Sequence, residues 1–431
     1  MNKTSIINIL VLTAILLSLF ACGGGGGGGG TPTPITSNKW TILVYMDGDN
    51  DLDLYTSGDL AEMMKVGSSS SATVIVQYDG YQKPAKRMKV ERGSLTTLQE
   101  LGEVNMTSAD TIADFVRYGV TTYPADRYML LMWDHGNGWK SGGVSLPKTT
   151  SSLLSDWDSN GYRSSESPNG TVAKGIRDGL SGTGRKLDIL GVDACIMATL
   201  EAAYEFRDLA DFMVASQELV SVQGWDYKAL LETLTSTPDI TGEALAKEIV
   251  RQYGVYMSGY GLTNQTLSAL RLSSVKAVAD AAGQLASARL AALKDPAQSV
   301  ASAASMTSAR TGRQEFDQYG DYVDLADFSQ ALEGAASPVA AAVRSMVVAN
   351  YNGPASQMAN GLSVAFFNIP KLYEGSTFLK ISLFDPAYTV ASKRSAAISF
   401  LDSYSWDEML DTYYRAAYPE QYQKLLDGKF P

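Results

Sequence analysis

Along the first half of the chain, segments with the apolar pattern of strands alternate with segments whose apolar residues recur at helical spacing. Short apolar runs, the signature of strands buried on both faces, recur at intervals. The predicted strands are 41–46, 72–78, 87–90, 128–133, 187–192 and 212–215. Helical spacing fills the intervals at 52–66 and from Ile112 to Tyr123, the second with Ser108 as its N-cap. The alternation predicts an α/β fold, with a mostly parallel sheet covered by helices on both faces.

Beyond Gly254 the pattern changes to longer helices with fewer strands between them. The predicted elements there are strands at 266–272 and 362–367 and helices at 274–293, 337–350 and 406–426. We therefore predict two closely packed parts, an α/β domain over residues 40–254 and a C-terminal α+β subdomain over residues 255–431.

The beginning of the chain carries a targeting pattern. The apolar run 6–20 is shorter than the roughly 20 apolar residues that a membrane-spanning helix needs, so residues 1–21 are interpreted as a signal peptide. Residues 19–22, Leu-Phe-Ala-Cys, resemble a bacterial lipobox with Cys22 as the lipidated residue; ordinary cleavage beside an unmodified Cys22 is the alternative. The glycine run within 22–39 predicts a flexible tether behind that residue.

Composition and charge narrow the class of protein. The formal net charge is −11, which argues against nucleic acid as a partner. The chain has two cysteines, Cys22 and Cys195, and a single histidine, His135. If Cys22 is acylated, Cys195 has no cysteine left to form a disulfide. One histidine excludes a multi-histidine zinc site, and the chain has no GxSxG motif, no P-loop and no dinucleotide-binding glycine pattern.

The two most reactive side chains both follow predicted strands. His135 lies in the turn after strand 128–133, and Cys195 follows strand 187–192. Because the carboxyl ends of parallel strands meet at one edge of a sheet, a Cys/His nucleophilic pair is expected there. Apolar residues after Cys195 recur at helical spacing, so we also expect the thiol at a helix N-terminus, where the dipole favours thiolate. The alternative is that both residues are only packed at strand ends.

Two motifs carry a family resemblance. WDHGNGW at 133–139 and LDILGVDACIMA at 187–198 resemble the clostripain family of cysteine peptidases, relatives of caspases and gingipains. Further segments fit the same pattern, at 40–54, 215–227, 265–272, 319–325 and 360–367. The resemblance covers roughly residues 40–425 and implies a caspase-like sheet. It also implies that Cys195 attacks the peptide carbonyl, that His135 moves the protons, and that the backbone N–H groups of Gly136 and Cys195 bind the oxyanion.

The resemblance implies cleavage after Arg or Lys. Strand alternation puts Asp193 on the same side as Cys195, where its carboxylate could receive a basic substrate side chain; capping the following helix is its alternative role. The stretch 220–225, which we expect to help line the pocket, has no second acid, so Glu218 is the candidate substitute.

Acidic turns offer a second kind of site. Catalysis by a cysteine and a histidine needs no cofactor, but some clostripain relatives use calcium, and carboxylate and amide oxygens suit Ca²⁺. The candidate ligands are Asp47, Asp49 and Asp51 in one turn, or Asp156, Asp158 and Asn160 in the other. Neither turn matches the EF-hand pattern, and ordinary acidic turns and helix caps are the alternative.

A long polar stretch, 141–171, separates the two catalytic motifs and is predicted to be a loop. The resemblance implies that a zymogen is cut here after a basic residue, for which Lys140, Lys148 and Arg163 are the candidates. Lys148 is favoured because the preceding proline keeps the backbone extended and small polar residues follow.

These inferences together predict a monomeric cysteine endopeptidase, anchored by lipid in the bacterial cell envelope and acting on peptide or protein substrates. The outer membrane or the cell surface is the expected location. A non-catalytic surface binding protein on a peptidase fold is the competing interpretation. A transpeptidase, which would pass the acyl group to an amine, is a third.

Overall fold

A nine-stranded mixed sheet forms the centre of the protein. The structure, a computed structural model, describes residues 38–139, 153–157, 165–167, 169–316, 320–374, 388–391 and 398–428. The strands are β1 (Asn38–Gly48), β2 (Ala72–Gly80), β3 (Lys83–Glu91), β4 (Ser94–Gly102), β5 (Ala125–Trp133), β6 (Leu153–Asp156), β7 (Ser165–Ser167), β8 (Leu187–Asp193), β9 (Ala210–Ala215), β10 (Thr266–Arg271), β11 (Glu315–Phe316), β12 (Tyr322–Asp324), β13 (Val347–Asn352) and β14 (Ser363–Ala365).

The large sheet has a parallel centre and antiparallel edges. Its strand order is β13-β10-β9-β8-β5-β1-β2-β3-β4, and the strands from β9 to β2 are parallel. The edge strands pair antiparallel on both sides. Two small sheets, β11-β12-β14 and β6-β7, lie outside it. The carboxyl ends of β1, β5 and β8 therefore point to the same rim.

Helices cover both faces of the large sheet. Those of the described residues are α1 (Asp53–Val66), α2 (Ala109–Thr122), α3 (Asn169–Leu180), α4 (Leu200–Phe206), α5 (Tyr227–Ser236), α6 (Gly242–Gly259), α7 (Val275–Lys294), α8 (Ser299–Arg310), α9 (Leu325–Glu333), α10 (Pro338–Met346), α11 (Ile369–Glu374), α12 (Ser399–Ser403), α13 (Trp406–Ala417) and α14 (Pro419–Leu426). None of these helices is both long and apolar enough to span a membrane.

Strand alternation divides the apolar residues between two cores. In β1, Leu43 and Tyr45 join the core beneath α2, α3 and α7, whereas Ile42 and Val44 join the core beneath α1, α5 and α6. This is why the central strands are apolar at nearly every position. The predicted α/β architecture, a mostly parallel sheet with helices on both faces, is confirmed.

Several predicted elements are confirmed in place, and others are wrong. The hydroxyl of Ser108 caps α2 by accepting a hydrogen bond from the backbone N–H of Asp110. The helix predicted at 337–350 ends at Met346, because Val347–Asn352 pairs with β10 as an edge strand. The stretch 141–171 is not wholly a loop, since its described parts contain β6, β7 and the start of α3.

The later part of the chain contributes to the same sheet as the earlier part. Strands β10 and β13 both follow Gly254 and extend the sheet beyond β9. Ser37–Pro431 forms one compact unit. The division at residue 254 stays a prediction.

Candidate active site

The turns after β5 and β8 meet at the carboxyl rim of the sheet. The last paired positions of these strands are Trp133 and Asp193. The chain continues into His135 after the first strand and into Cys195 after the second. Both side chains, together with that of Asp193, line one pocket. The expectation that the single histidine and the internal cysteine share one rim is therefore met.

The thiol of Cys195 is partly exposed and lies against the loop that follows β9. The backbone N–H of Val220 points at its sulfur from 3.2 Å. The prediction of a helix N-terminus at this cysteine is wrong, because α4 begins only at Leu200, where the hydroxyl of Thr199 caps it. The thiol itself lies 3.9 Å from the backbone carbonyl of Val220, so it contacts both polar groups of that residue instead of a helix end.

The residue after the cysteine has an unusual backbone. Ile196 has φ of 59°, in the left-handed region that β-branched residues rarely adopt. Its N–H donates to the carbonyl of Glu218 at 3.2 Å. Strained backbone of this kind persists where the surrounding structure fixes it, and here it separates the strand from the helix.

His135 has a carboxylate partner that the sequence analysis assigned elsewhere. Its Nε2 atom lies 2.9 Å from Oδ1 of Asp51. The side chains are 37% and 63% exposed, so solvent weakens the attraction between them, but the contact still orients the ring. Asp51 was predicted as a calcium ligand; the structure instead sets it beside the histidine.

Gly136 packs directly on the backbone of the cysteine. A Cβ atom at this position would lie 2.4 Å from the carbonyl oxygen of Cys195 and 3.0 Å from its nitrogen. No larger residue fits without moving one of the two turns. The backbone of the histidine turn and the backbone of the cysteine turn are therefore held in contact, as the predicted oxyanion donors require.

Asp193 is a buried carboxylate at the wall of the pocket. Its Oδ2 accepts hydrogen bonds from the hydroxyl of Tyr227 at 2.7 Å and from the backbone N–H of Trp225 at 3.1 Å. Within the described residues, its Oδ1 has no hydrogen-bond partner. Burial raises the pKa of Asp193 to about 6, although the bond from Tyr227 opposes the rise. The alternative role as a helix cap is wrong, since Thr199 caps α4.

A second buried acid, Asp59, lies close to Asp193 and was not predicted from the sequence. Asp59 lies on the buried face of α1, and its Oδ2 accepts a hydrogen bond from the indole of Trp133 at 2.7 Å. A methyl group built on Gly224 would lie 2.8 Å from Oδ2 of Asp193 and 3.5 Å from Oδ2 of Asp59. Burial, and then the charge of Asp193, raises the pKa of Asp59 to about 8. The sequence contained one indication of this acid, because Asp59 shares a face of α1 with Thr56 and Leu60, and that face is buried.

The structure does not bring Glu218 into this pocket. Its carboxylate accepts a hydrogen bond from the neighbouring backbone N–H of Leu219 at 2.8 Å. The pocket is lined by other residues of that loop, among them Val220 and Gly224. Glu218 contributes through its backbone carbonyl, which accepts the hydrogen bond from the N–H of Ile196. The second acid near Asp193 is Asp59, not Glu218.

The predicted calcium ligands are rearranged as well. Carboxylate oxygens of Asp49, Glu103 and Asp156 lie within 4.8 Å of one another, so the two acidic turns meet instead of forming separate sites. Glu103 was not foreseen, and Asp51 lies on His135 instead. Asp47 uses one oxygen to accept a hydrogen bond from the backbone N–H of Asp49 at 3.3 Å.

Several predicted positions lie outside the described residues, and their predictions stand as made. They are the signal peptide and tether with Cys22, the cleavage candidates Lys140, Lys148 and Arg163, and the calcium candidates Asp158 and Asn160. Trp139 and Leu153, which flank the segment with Lys140 and Lys148, are both buried.

Comparison with known proteins gives a consistent picture. The model of the clostripain family matches residues 44–411. Clostripain of Hathewaya histolytica is 26% identical over 229 residues, which cover 46% of this chain and 42% of that protein. The match therefore spans less than half of that relative's length.

Solved structures share the fold. A secreted C11 cysteine protease from Bacteroides thetaiotaomicron, in complex with an irreversible peptide inhibitor, has a TM-score of 0.58 and 18% identity, covering 90% of this chain and 99% of that one. An inactive zymogen C11 protease from Parabacteroides distasonis has a TM-score of 0.59 and 18% identity, covering 78% and 93%. At this identity the likeness shows a common caspase-like α/β fold.

Proposed function

The chain belongs to the clostripain family, and from that premise we propose a cysteine endopeptidase that cuts peptide bonds after Arg or Lys. The observation that carries the proposal is the shared pocket, which Cys195, His135 and Asp193 all line. A nucleophile, a proton carrier and a buried carboxylate in one pocket are the groups that such a reaction needs.

The chemistry follows from these groups. The thiolate of Cys195 attacks the substrate carbonyl and forms a carbon–sulfur bond, while the backbone N–H groups of Gly136 and Cys195 stabilise the oxyanion. His135 then protonates the leaving amine, and the peptide bond breaks. Water, deprotonated by His135, hydrolyses the thioester and restores the thiol.

We assign Asp51 the task of orienting the histidine. Because its carboxylate lies 2.9 Å from Nε2, it holds a proton on that nitrogen and leaves Nδ1 to exchange protons with the reactants. It also stabilises the imidazolium that forms during each half of the reaction. Asp51 is a positioning residue here, since it acts through His135.

Two buried carboxylates favour a basic substrate side chain. Asp193 keeps one oxygen without a partner among the described residues, and that oxygen is available to a guanidinium or ammonium group. Asp59 adds a second negative charge beside it. A cation in the pocket lowers the cost of ionising both acids, whose pKa values burial raises. A neutral side chain provides no such compensation.

The test uses peptides that end in Arg, Lys or Asp linked to a fluorogenic amine. We expect release of the amine from the Arg and Lys peptides, none from the Asp peptide, and none by the Cys195→Ala and His135→Ala variants. Circular dichroism checks that both variants keep the fold. A protein that cleaves none of the peptides, whether intact or nicked within 141–171, would instead fit the binding-protein interpretation.

We further propose self-cleavage within 141–171 and lipid anchoring through Cys22. Support for the first comes from Lys148, which follows a proline and precedes small polar residues in the sequence, a pattern typical of sites of nicking. Support for the second comes from the lipobox-like residues 19–22 and the glycine tether. The resulting enzyme acts as a monomer on peptides at the outer membrane or the cell surface.

A further inference from the structure

The small sheet β11-β12-β14 reaches the active site from the later part of the chain. Its central strand is β12, in which Tyr322 pairs with Phe316 of β11 on one side and with Ala365 of β14 on the other. The side chain of Tyr322 is fully buried and contacts the turn that follows His135. Because β12 is paired on both sides, the sheet fixes the position of Tyr322 independently of the turn that it contacts.

The hydroxyl of Tyr322 closes the histidine turn. It donates a hydrogen bond to the backbone carbonyl of Asn137 at 2.8 Å and accepts one from the backbone N–H of Trp139 at 3.3 Å. Gly138, between these two residues, has φ of 68°, and a Cβ atom there would overlap the same hydroxyl. One phenol therefore satisfies two backbone groups of the turn, immediately after the residue that supplies a proposed oxyanion donor.

The same small sheet also holds the cysteine turn and the loop after β9. The backbone N–H of Ser363 in β14 donates to the carbonyl of Ala198, between Cys195 and α4, at 2.9 Å. The carboxylate of Asp324 in β12 accepts a hydrogen bond from the side-chain amide of Gln217, in the loop after β9, at 3.1 Å. All three segments of the site are thus tied to one element, and Tyr322 is the tie to the histidine turn.

We propose that Tyr322 is a positioning residue for the peptidase reaction, because it sets the histidine turn against the cysteine turn. The inference rests on the proposed function. The side chains of His135 and Asp51 are 37% and 63% exposed, so their own contact constrains the imidazole weakly. The backbone that carries the imidazole and the N–H of Gly136 must therefore be fixed from elsewhere. A displacement of about 1 Å at reacting groups can cost about 100-fold in rate.

Tyr128 offers a matched control for a purely structural role. It is also buried, and it lies near the beginning of β5, whereas His135 follows the end of that strand. Its hydroxyl accepts a hydrogen bond from the backbone N–H of Ala125 at 2.9 Å and donates one to the carbonyl of Val120 at 3.5 Å. Tyr128→Phe and Tyr322→Phe therefore each remove one donated and one accepted hydrogen bond, and only the second affects the histidine turn.

The first test compares these two variants on an Arg peptide linked to a fluorogenic amine. Tyr322→Phe should lower kcat about tenfold or more and leave KM within about twofold, because other segments line the substrate pocket. Tyr128→Phe should keep the wild-type kcat, although both variants should lose similar amounts of melting temperature. Equal kcat in the two variants, with an active wild type, would overturn the inference. A wild type that cleaves no peptide would instead overturn the proposed function.

A second variant disturbs the same contact without changing Tyr322. Gly138→Ala places a methyl group against the hydroxyl and should also lower kcat about tenfold or more. Gly182→Ala is its control for backbone strain, since Gly182 has φ of 76° and a Cβ atom there meets no other group within 4 Å. Equal kcat in these two variants would contradict the assignment.

Hydrogen exchange supplies a readout that needs no turnover. In the full chain carrying Cys195→Ala, Tyr322→Phe should speed exchange of the Trp139 amide about tenfold or more, because the hydrogen-bond acceptor is removed. The affinity for the uncleaved Arg peptide should stay within about twofold. Unchanged exchange at Trp139 would overturn the inference whether or not the chain is active. Faster exchange throughout the large sheet, together with lost peptide affinity, would mean that Tyr322 contributes only stability.

Discussion

Replacing Asp59 by Asn should reduce the preference for basic substrates without abolishing cleavage. A Cβ atom built on Gly224 would lie 3.5 Å from Oδ2 of Asp59 and 2.8 Å from Oδ2 of Asp193. The two carboxylate oxygens are therefore no more than about 6.3 Å apart. For a cation on Asp193 at a comparable distance of about 6 Å from Asp59, two unit charges interact by about 2–3 kcal/mol at an effective dielectric constant of about 20. Because a pKa of about 8 leaves Asp59 about half ionised at pH 8, we expect about half of this at that pH, or a loss of about tenfold.

Asp193→Asn should have the larger effect, because in the proposed pocket its carboxylate contacts the substrate cation. A lost charged hydrogen bond costs about 3 kcal/mol, which corresponds to more than 100-fold. The assay is the ratio of kcat/KM for Arg and for neutral peptides, in which effects common to both substrates cancel. Asp239→Asn, at a position 80% exposed, is the matched control. Equal losses on Arg and neutral peptides in the Asp59 variant would refute a charge effect.

The pH dependence of the same ratio adds a check with a defined sign. The pKa is about 6 for Asp193 and about 8 for Asp59, and each acid attracts a cation only when it is ionised. The preference for Arg should therefore rise as the pH increases from about 5 to 9. In Asp59→Asn the rise should end near pH 7, since only Asp193 still titrates. A ratio that does not change with pH would count against both assignments.

Three further changes test the remaining assignments. Asp51→Asn should lower kcat about tenfold with little change in KM, because it weakens the orientation of His135; an unchanged kcat would make their contact incidental. Purified wild-type protein should split near Lys148 while Cys195→Ala stays whole on a denaturing gel; splitting of the variant would indicate a foreign protease. Cys22→Ser should move the protein from the membrane fraction to the soluble fraction, and retention with membranes would contradict lipidation.

The sequence predicted those features that depend on neighbours along the chain. Apolar runs located β1, β5 and β8, and the Ser108 cap located the start of α2. The parallel arrangement then brought His135 and Cys195 to one rim, because strands of one sheet end together. These conclusions needed only periodicity and the rule that parallel strands share an edge.

Features that depend on contacts far apart along the chain could not be predicted in the same way. Asp59 and Asp193 are 134 positions apart in the sequence, and no neighbouring residue indicates that they come together. Glu103 joins Asp49 and Asp156 only because the sheet folds the three segments together. The helix expected at Cys195 failed for a local reason, since the left-handed residue after it interrupts the helical path that the apolar spacing suggested.

The pairing of β5 with β8 decides how the protein would behave after a cut between residues 140 and 152. The fragments would then carry neighbouring strands of one sheet, joined from Met129–Ile189 to Trp133–Asp193. Both cores also draw side chains from each fragment. Separating them would expose apolar side chains of both cores to water, so the nicked protein should migrate as one species in gel filtration and as two bands in detergent. The fold therefore does not depend on an unbroken chain. Two separately expressed halves should reassemble into one particle.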